Sequence, residues 1–423
     1  MADASLLSDH LVRELVAVGQ VDLLVGLPTL NNAATVRNVV RAVQAGCATY
    51  LPRARMVLLN SDGGSTDGTP ALVQEASTEE TSTVTASHRL RTAHRISTPH
   101  HGPPGKAGAL RLIFASADLL QATAVAIVDP ELTSVTAQWV PALAGPILRD
   151  RVDVVTPVYA RHPLDAPLAT QLVRPLVDAV QGRRVREPLA GEFGCSGKLA
   201  AVFSEENDWN AAVVQRDAYL WVIMSALAGE YRFAQAALGP RQVDPHRPVL
   251  PLPELFQQVV GAVFDCLEAH ASAWMKRDSV EDVSVIGNHD RAPAPPALPD
   301  LGRMSASFTE NVRDLHPVLA EILPPDVLSG IVAAAGAPQN PAQYSDDLWA
   351  ATVLDFLLAY RRGVMRRDHV VQALLPLYLG RTVAFLLQHR ELEPQAAEDG
   401  LARLITAFER ARPGFVARWP QNP

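Results

Sequence analysis

The sequence predicts an α/β fold: a mainly parallel sheet with helices on both faces, followed by an all-helical C-terminal region. Three observations predict it. Buried-strand and helix patterns alternate from residue 21 to residue 132. Polar clusters rich in small and acidic residues follow the strands, which gathers them at one edge of such a sheet, where ligands bind. Beyond a Pro-rich stretch at 287–302, only helical periodicity remains.

The elements follow in order. "MADASLLSDHLVRELVAVGQ" reads as a short amphipathic helix, with acidic residues where a secretory leader carries Lys or Arg. "VDLLVGLP" (21–28) is a buried strand stopped by Pro. Val36, Val39, Val40 and Val43 then recur at helical spacing, with Asn31 or Asn32 as cap and Gly46 as stop. "RARMVLLN" (53–60) is a second buried strand, and the next helix carries Pro70 near its first turn. Residues 91–99 form a weaker strand, 105–120 a helix, and 124–132 a strand that runs into acidic residues.

Further on, 151–160 and 232–239 read as strands. Residues 166–180 read largely as a helix, 186–197 as an irregular loop and 216–230 as a buried helix. The stretch "LPELFQQVVGAVFDCLEAHASAWMK" reads as one long helix. This divides the chain into an α/β region, 1–286, a Pro-rich linker, 287–302, and a helical region, 303–423. For the helical region, packing on the α/β region and building a homodimer are both open.

Composition narrows the function classes. The 423 residues exceed one ordinary core, and 48% hydrophobic with 19% charged residues suits a globular protein. The net charge of -8 argues against nucleic-acid partners. Cys47, Cys195 and Cys266 are odd in number and lack zinc-like spacing, so reduced thiols in the cytoplasm are expected. No apolar run is read as long enough for a membrane span, which takes roughly 20 residues.

Three constellations carry the chemistry. "NSDGGSTDGT" (60–69) packs three glycines and two aspartates behind a buried strand. Glycines there let the backbone approach a ligand, and carboxylates accept hydrogen bonds from a base or sugar. A loop leading into a helix, capped by Thr66 or Asp67, accounts for the stretch equally well on its own. It has neither the dinucleotide glycine pattern nor a Walker lysine. In "AIVDPEL", Asp129 and Glu131 stand two apart at a strand end, a donor pair suited to a hard divalent cation or to a capped turn. In "VDPHRP", His246 is a third metal ligand, a phosphate donor or a structural histidine.

The order of these pieces resembles the retaining GT-A glycosyltransferases of the glucosyl-3-phosphoglycerate, glucosylglycerate and mannosylglycerate synthase type. The resemblance rests on "PTLNN", "DGGSTDGT", "PPGKAG", Asp129-Pro130-Glu131, "PLAGEF" and "DPHRP", and covers roughly residues 20–275. It implies a nucleoside diphosphate sugar donor, of the UDP- or GDP-glucose or mannose type, and a small polar acceptor. Leu27, Pro28, Leu30, Asn31, Asp62, Ser65, Lys106 and Asp129 then surround the donor. Asp129, Glu131 and His246 hold Mg²⁺ or Mn²⁺. Glu192 and Asp217 join Asp129 as catalytic residues, oriented towards sugar or acceptor, with helix capping as their plainer role.

The acceptor loop departs from the family. "LDAPLATQ" (164–171) lacks the family's glycines and Arg, and Pro167 removes a backbone donor. Arg161, His162 and Thr170 are left to bind a carboxylate or hydroxyls, which points from 3-phosphoglycerate to glycerate or a related hydroxy acid. Two rivals stand beside this expectation. One is a degenerate scaffold of the same fold that binds a nucleotide sugar or a protein partner without turnover. The other, a nucleotidyltransferase, requires an early Gly-rich phosphate loop that "PTLNNAATVRN" does not supply.

Overall fold

The computed structural model describes residues 7–83, 94–99, 106–206, 209, 214, 216–247, 249–288, 296 and 298–419. Its centre is an eight-stranded sheet in the order β10-β8-β5-β7-β4-β1-β2-β3. The strands are β1 (Leu23–Thr29), β2 (Met56–Asp62), β3 (His94–Pro99), β4 (Ala124–Ile127), β5 (Val154–Tyr159), β7 (Phe193–Ser196), β8 (Phe233–Gly239) and β10 (Val285–Ile286). All neighbouring pairs are parallel except those of β7, which runs antiparallel to both β4 and β5. A separate two-stranded ribbon joins β6 (Arg183–Arg184) to β9 (Glu281–Asp282).

Every residue of β1 and β2 is buried, as continuous Val/Leu runs in a doubly covered sheet require. Side chains alternate between two cores. Leu23, Val25 and Leu27 join one with helix α2 (Val36–Tyr50) and helix α5 (Trp139–Leu148), while Leu24 joins the other. Val36, Val39, Val40 and Val43 are the buried stripe of α2, each worth about 1.5–3 kcal/mol of apolar burial. The second core holds α1 (Asp9–Val18), capped by Ser8, through Leu11 and Leu15, and α4 (Lys106–Leu119) through Leu110, Ile113 and Phe114.

Three expectations about local structure are corrected. Thr35, not Asn31 or Asn32, is the N-cap of α2, which runs through Gly46 to Tyr50. Residues 193–196 are not loop: they form β7, then α7 (Gly197–Glu205) with Ser196 as its cap. The long helix from Leu252 stops at Ala269, and a short turn of helix follows at Ala271–Trp274. Parts of other expectations, namely Met1–Leu6, Arg91–Ala93, Pro103–Gly105 and, of the Pro-rich linker, residues 289–295 and 297, lie outside the described residues.

The helical region is not a separate body. Its helices, starting at Leu301, share one apolar core with the α/β region. Polar ties reinforce the junction. The Trp349 indole N–H donates to the Gln171 carbonyl, and Arg184 forms a two-pronged bond to Glu409. Buried Arg381 binds Asp346, the Tyr344 carbonyl and Gln171. One helix, Arg367–His389, is long and apolar enough by composition to cross a membrane, contrary to the sequence reading, but 78% of that window is buried among neighbouring helices. All three cysteines are free and buried.

Candidate active site

The carboxyl ends of β1, β2 and β4 meet at one edge, and their loops are stitched together. Asp62 is the main stitch. Its oxygens accept from the Gly64 and Ser65 N–H groups and from the Ser65 and Thr29 hydroxyls. Ser65 Oγ in turn accepts from the Asn31 N–H, and Asn31 Oδ1 accepts from the Thr66 N–H. Asp67 accepts from the Thr69 N–H, the Thr69 hydroxyl and the Ala33 N–H. Asn31 sits at φ 55° and Gly64 at φ 94°, left-handed conformations that Asn and Gly tolerate best. The glycine- and acid-rich stretch therefore shapes a rigid shelf.

Two adjoining cavities open on this edge, with volumes of about 390 and 740 Å³. The smaller is walled by Pro28, Leu30, Asn31, Lys106, Asp129, Glu131 and His246, among others. The larger is walled on its polar side by Arg161, Glu187, Asp217, Tyr219 and Arg241. Lys106, Asp129, Glu131 and Arg247 belong to both. Lys106 is the first residue of α4, so a helix N-terminus, which favours anions, opens where the cavities join. Its ammonium lies 5.0 Å from the Tyr219 ring centroid.

Asp129 and Glu131 stand just past β4 as expected, and the Glu131 N–H donates to Asp129 Oδ1. Their other partners are arginines absent from the sequence-based expectation. Arg241 lies 3.3 Å from Asp129 Oδ2 and 3.4 Å from Glu192 Oε1. Arg247 lies 3.1 Å from Glu131 Oε2. Gly191 leaves room for the Asp129 carboxylate, since a Cβ there would come within 3.0 Å of Oδ2.

Behind this wall runs a buried polar chain. The Tyr159 hydroxyl donates to Glu192, and Arg241 and Arg161 each lie over the Tyr159 ring, at 5.7 and 5.1 Å. Burial pushes the Glu192 carboxyl up against the pull of Arg241. It also holds the Tyr159 hydroxyl far above its ordinary range, assisted by Glu192. Burial opposes the charge on Arg241, but Glu192, Tyr159 and Asp129 outweigh it and hold the guanidinium firmly protonated.

The expected residues are thus sorted. Pro28, Leu30, Asn31, Lys106 and Asp129 line the smaller cavity. Leu27, Asp62 and Ser65 do not line it: Leu27 is core, and the two polar side chains are engaged in the shelf. Glu192, 0% exposed, lines neither cavity and touches the cavity wall through Arg241. Asp217 lines the larger cavity and also caps the helix Ala218–Ala228 by accepting from the Leu220 N–H; burial raises its pKa. Arg161 lines the larger cavity, paired with Glu187. His162 and Thr170 do not: His162 Nδ1 accepts from the Leu164 N–H, and the Thr170 hydroxyl donates to the Ala166 carbonyl.

Asp129, Glu131 and His246 are the expected metal ligands. The three share a cavity wall, yet among the described residues no three His, Cys, Asp or Glu side chains gather closely enough for one ion. His246 is exposed, and its backbone N–H donates to Asp244 Oδ1. Asp129 and Glu131 have the oxygen chemistry a hard cation takes.

No protein-family model matches the sequence, and no curated protein sequence matches it significantly.

Solved structures of sugar transferases do resemble it. Glucosyl-3-phosphoglycerate synthase from Mycobacterium tuberculosis, in complex with Mn²⁺, UDP and glucosyl-3-phosphoglycerate, is 22% identical; the match covers 63% of this chain and 87% of that one, at a TM-score of 0.39. Mannosyl-3-phosphoglycerate synthase from Rubrobacter xylanophilus is 21% identical over 62% of this chain and 78% of that one, at a TM-score of 0.38. Agreement of that extent leaves the site to be read from this chain's own side chains.

Proposed function

We propose that the protein is a glycosyltransferase that moves a hexose from a nucleoside diphosphate sugar to a hydroxyl acceptor. One observation carries the reading: Lys106, at the N-terminus of α4, and the Asp129–Glu131 pair, at the end of β4, share the walls of both cavities. A diphosphate at that junction meets an ammonium and helix N–H groups. The nucleoside occupies the shelf side, by Pro28, Leu30 and Asn31, and the hexose points to the larger cavity.

Transfer forms a bond from the acceptor oxygen to the anomeric carbon as the bond from that carbon to the diphosphate oxygen breaks. In the retaining course, the acceptor approaches on the leaving-group face and its proton passes to the departing diphosphate. Lys106 neutralises charge that grows on the leaving group, an electrostatic stabilisation of the transition state. Arg247 shares both cavities and can add to that charge once the diphosphate draws it from Glu131. Arg241 and Glu192 fix the Asp129 carboxylate. Asp129 and Glu131 are the residues that would hold Mg²⁺ or Mn²⁺ together with diphosphate oxygens. When bound, the cation supplies Lewis-acid neutralisation of the leaving group.

The pairing of both carboxylates with arginines favours a second reading, a scaffold that binds a nucleotide sugar without turnover. Incubation with UDP-glucose or GDP-glucose and Mg²⁺ separates the two. Slow release of the nucleoside diphosphate, suppressed by EDTA, supports the transferase. Tight nucleotide binding with no release from any donor supports the scaffold.

A further inference from the structure

We infer that the larger cavity takes a ligand with an apolar body, a ring or branched chain beside its hydroxyl, and not a bare three-carbon acid. That this ligand is the sugar acceptor rests on the transferase reading above; its chemical class rests on the cavity. Size is the first argument. Cavities of about 300–1,000 Å³ hold drug-sized molecules, and this one reaches about 740 Å³.

Lining is the second argument. Away from the charged junction the wall includes Leu252, Leu255, Val259 and Tyr378, joined by Leu168 and Leu189, with Arg216 and Gln258 set among them. The polar groups suit a hydroxy-acid head, and the apolar side chains reward a larger apolar group attached to it. The apolar surface also continues outward. Between the lining residues Arg247 and Leu252 the chain exposes Val249 by 68% and Leu250 by 45%, and Leu252 itself is 40% exposed.

This wall is built jointly with the helical region. Tyr378 belongs to the helix Arg367–His389, and its ring packs 5.2 Å from that of Phe256 on the helix Leu252–Ala269. The segment Ala166–Ala169 lines the same cavity, and Trp349 and Arg381 grip Gln171 just beyond it. The helical region therefore sets the shape of the pocket that selects the ligand.

The test is direct binding to the full chain, by calorimetry, of two probes that share a hydroxy-acid head: glycerate and 3-phenyllactate. The phenyl-bearing probe is expected to bind roughly tenfold tighter or better. Leu252→Asp, at a half-exposed position, is expected to remove the preference, and Leu255→Ser provides a second variant should the first unfold. Equal or weaker binding of 3-phenyllactate by the wild-type chain overturns the inference, whatever the donor assays give. Preferential binding with no release of nucleoside diphosphate from any donor leaves the ligand class standing and removes the transferase reading.

Discussion

Arg241 and Asp129 form a buried ion pair, 3.3 Å apart, between residues 112 positions apart in the sequence. The same guanidinium reaches Glu192, so a single cation compensates two carboxylates, of which Asp129 is 3% and Glu192 0% exposed. The pair positions the carboxylate that the proposed reaction needs.

Removal of Arg241 leaves two buried charges uncompensated. Arg241→Ala is expected to lose about 3–5 kcal/mol of stability, because a broken buried pair costs more than the intact pair contributes. Combining it with Glu192→Gln is expected to recover part of that loss. Urea unfolding of the two variants checks both; independent, additive losses would show that the triad does not act as a unit.

Arg247 competes for Glu131 at the mouth of the site, in a half-exposed pair. Arg247→Ala is expected to tighten Mn²⁺ binding severalfold in the presence of UDP, by freeing a carboxylate oxygen. A Mn²⁺ titration followed by electron paramagnetic resonance measures it. Weaker Mn²⁺ binding would assign Arg247 to the diphosphate and not to Glu131.

Gly191 is needed for space beside Asp129. Gly191→Ala is expected to move the carboxylate by tenths of an ångström and lower donor turnover at least tenfold, since small displacements in an active site are costly. Its unfolding temperature is expected to stay within a few degrees of wild type. Unchanged turnover would detach Asp129 from the chemistry.

Asp178 gives a pH dependence unrelated to the site. It is fully buried, and burial lifts its pKa to about 7 despite the nearby Arg174. The folded value exceeds the unfolded one, about 3.9, so the folded chain holds this proton more tightly. Stability from this residue is complete below the unfolded value and falls as pH rises through 7. Asp178→Asn keeps an oxygen for the Val185 N–H, now 2.8 Å from Asp178 Oδ1. The variant is expected to lose less stability than wild type between pH 5 and 8, by on the order of 2–4 kcal/mol. Parallel urea midpoints at the two pH values would refute the assignment.

Much of the fold was legible because its strands are contiguous apolar runs. Val57–Leu59 or Val25–Leu27 can only be covered on both faces, and the polar residues after each run had to collect at one edge. Strand Phe193–Ser196 escaped because "FGCS" is four residues with a glycine inside, and antiparallel pairing on both sides holds it in place of its own propensity. That Lys106, Asp129 and Asn31 share a cavity wall was legible because each lies at or just beyond the end of its element. Arg241 and Arg247 were not, because their partners lie more than a hundred residues away in sequence, although two arginines flanking His246 were a visible signal. Asp62 and Ser65 were placed in the right loop, but a sequence does not say that their oxygens are already used by neighbouring N–H groups.

Donor cleavage by the wild-type chain and by Asp129→Asn, followed as nucleoside diphosphate released from UDP-glucose or GDP-glucose with Mg²⁺, tests the central claim most directly. The wild type is expected to release product, and the variant to fall by at least a hundredfold while still unfolding cooperatively, since Arg241 keeps Glu192 as a partner. Equal release by both chains, or none from the wild type with either donor, would contradict it.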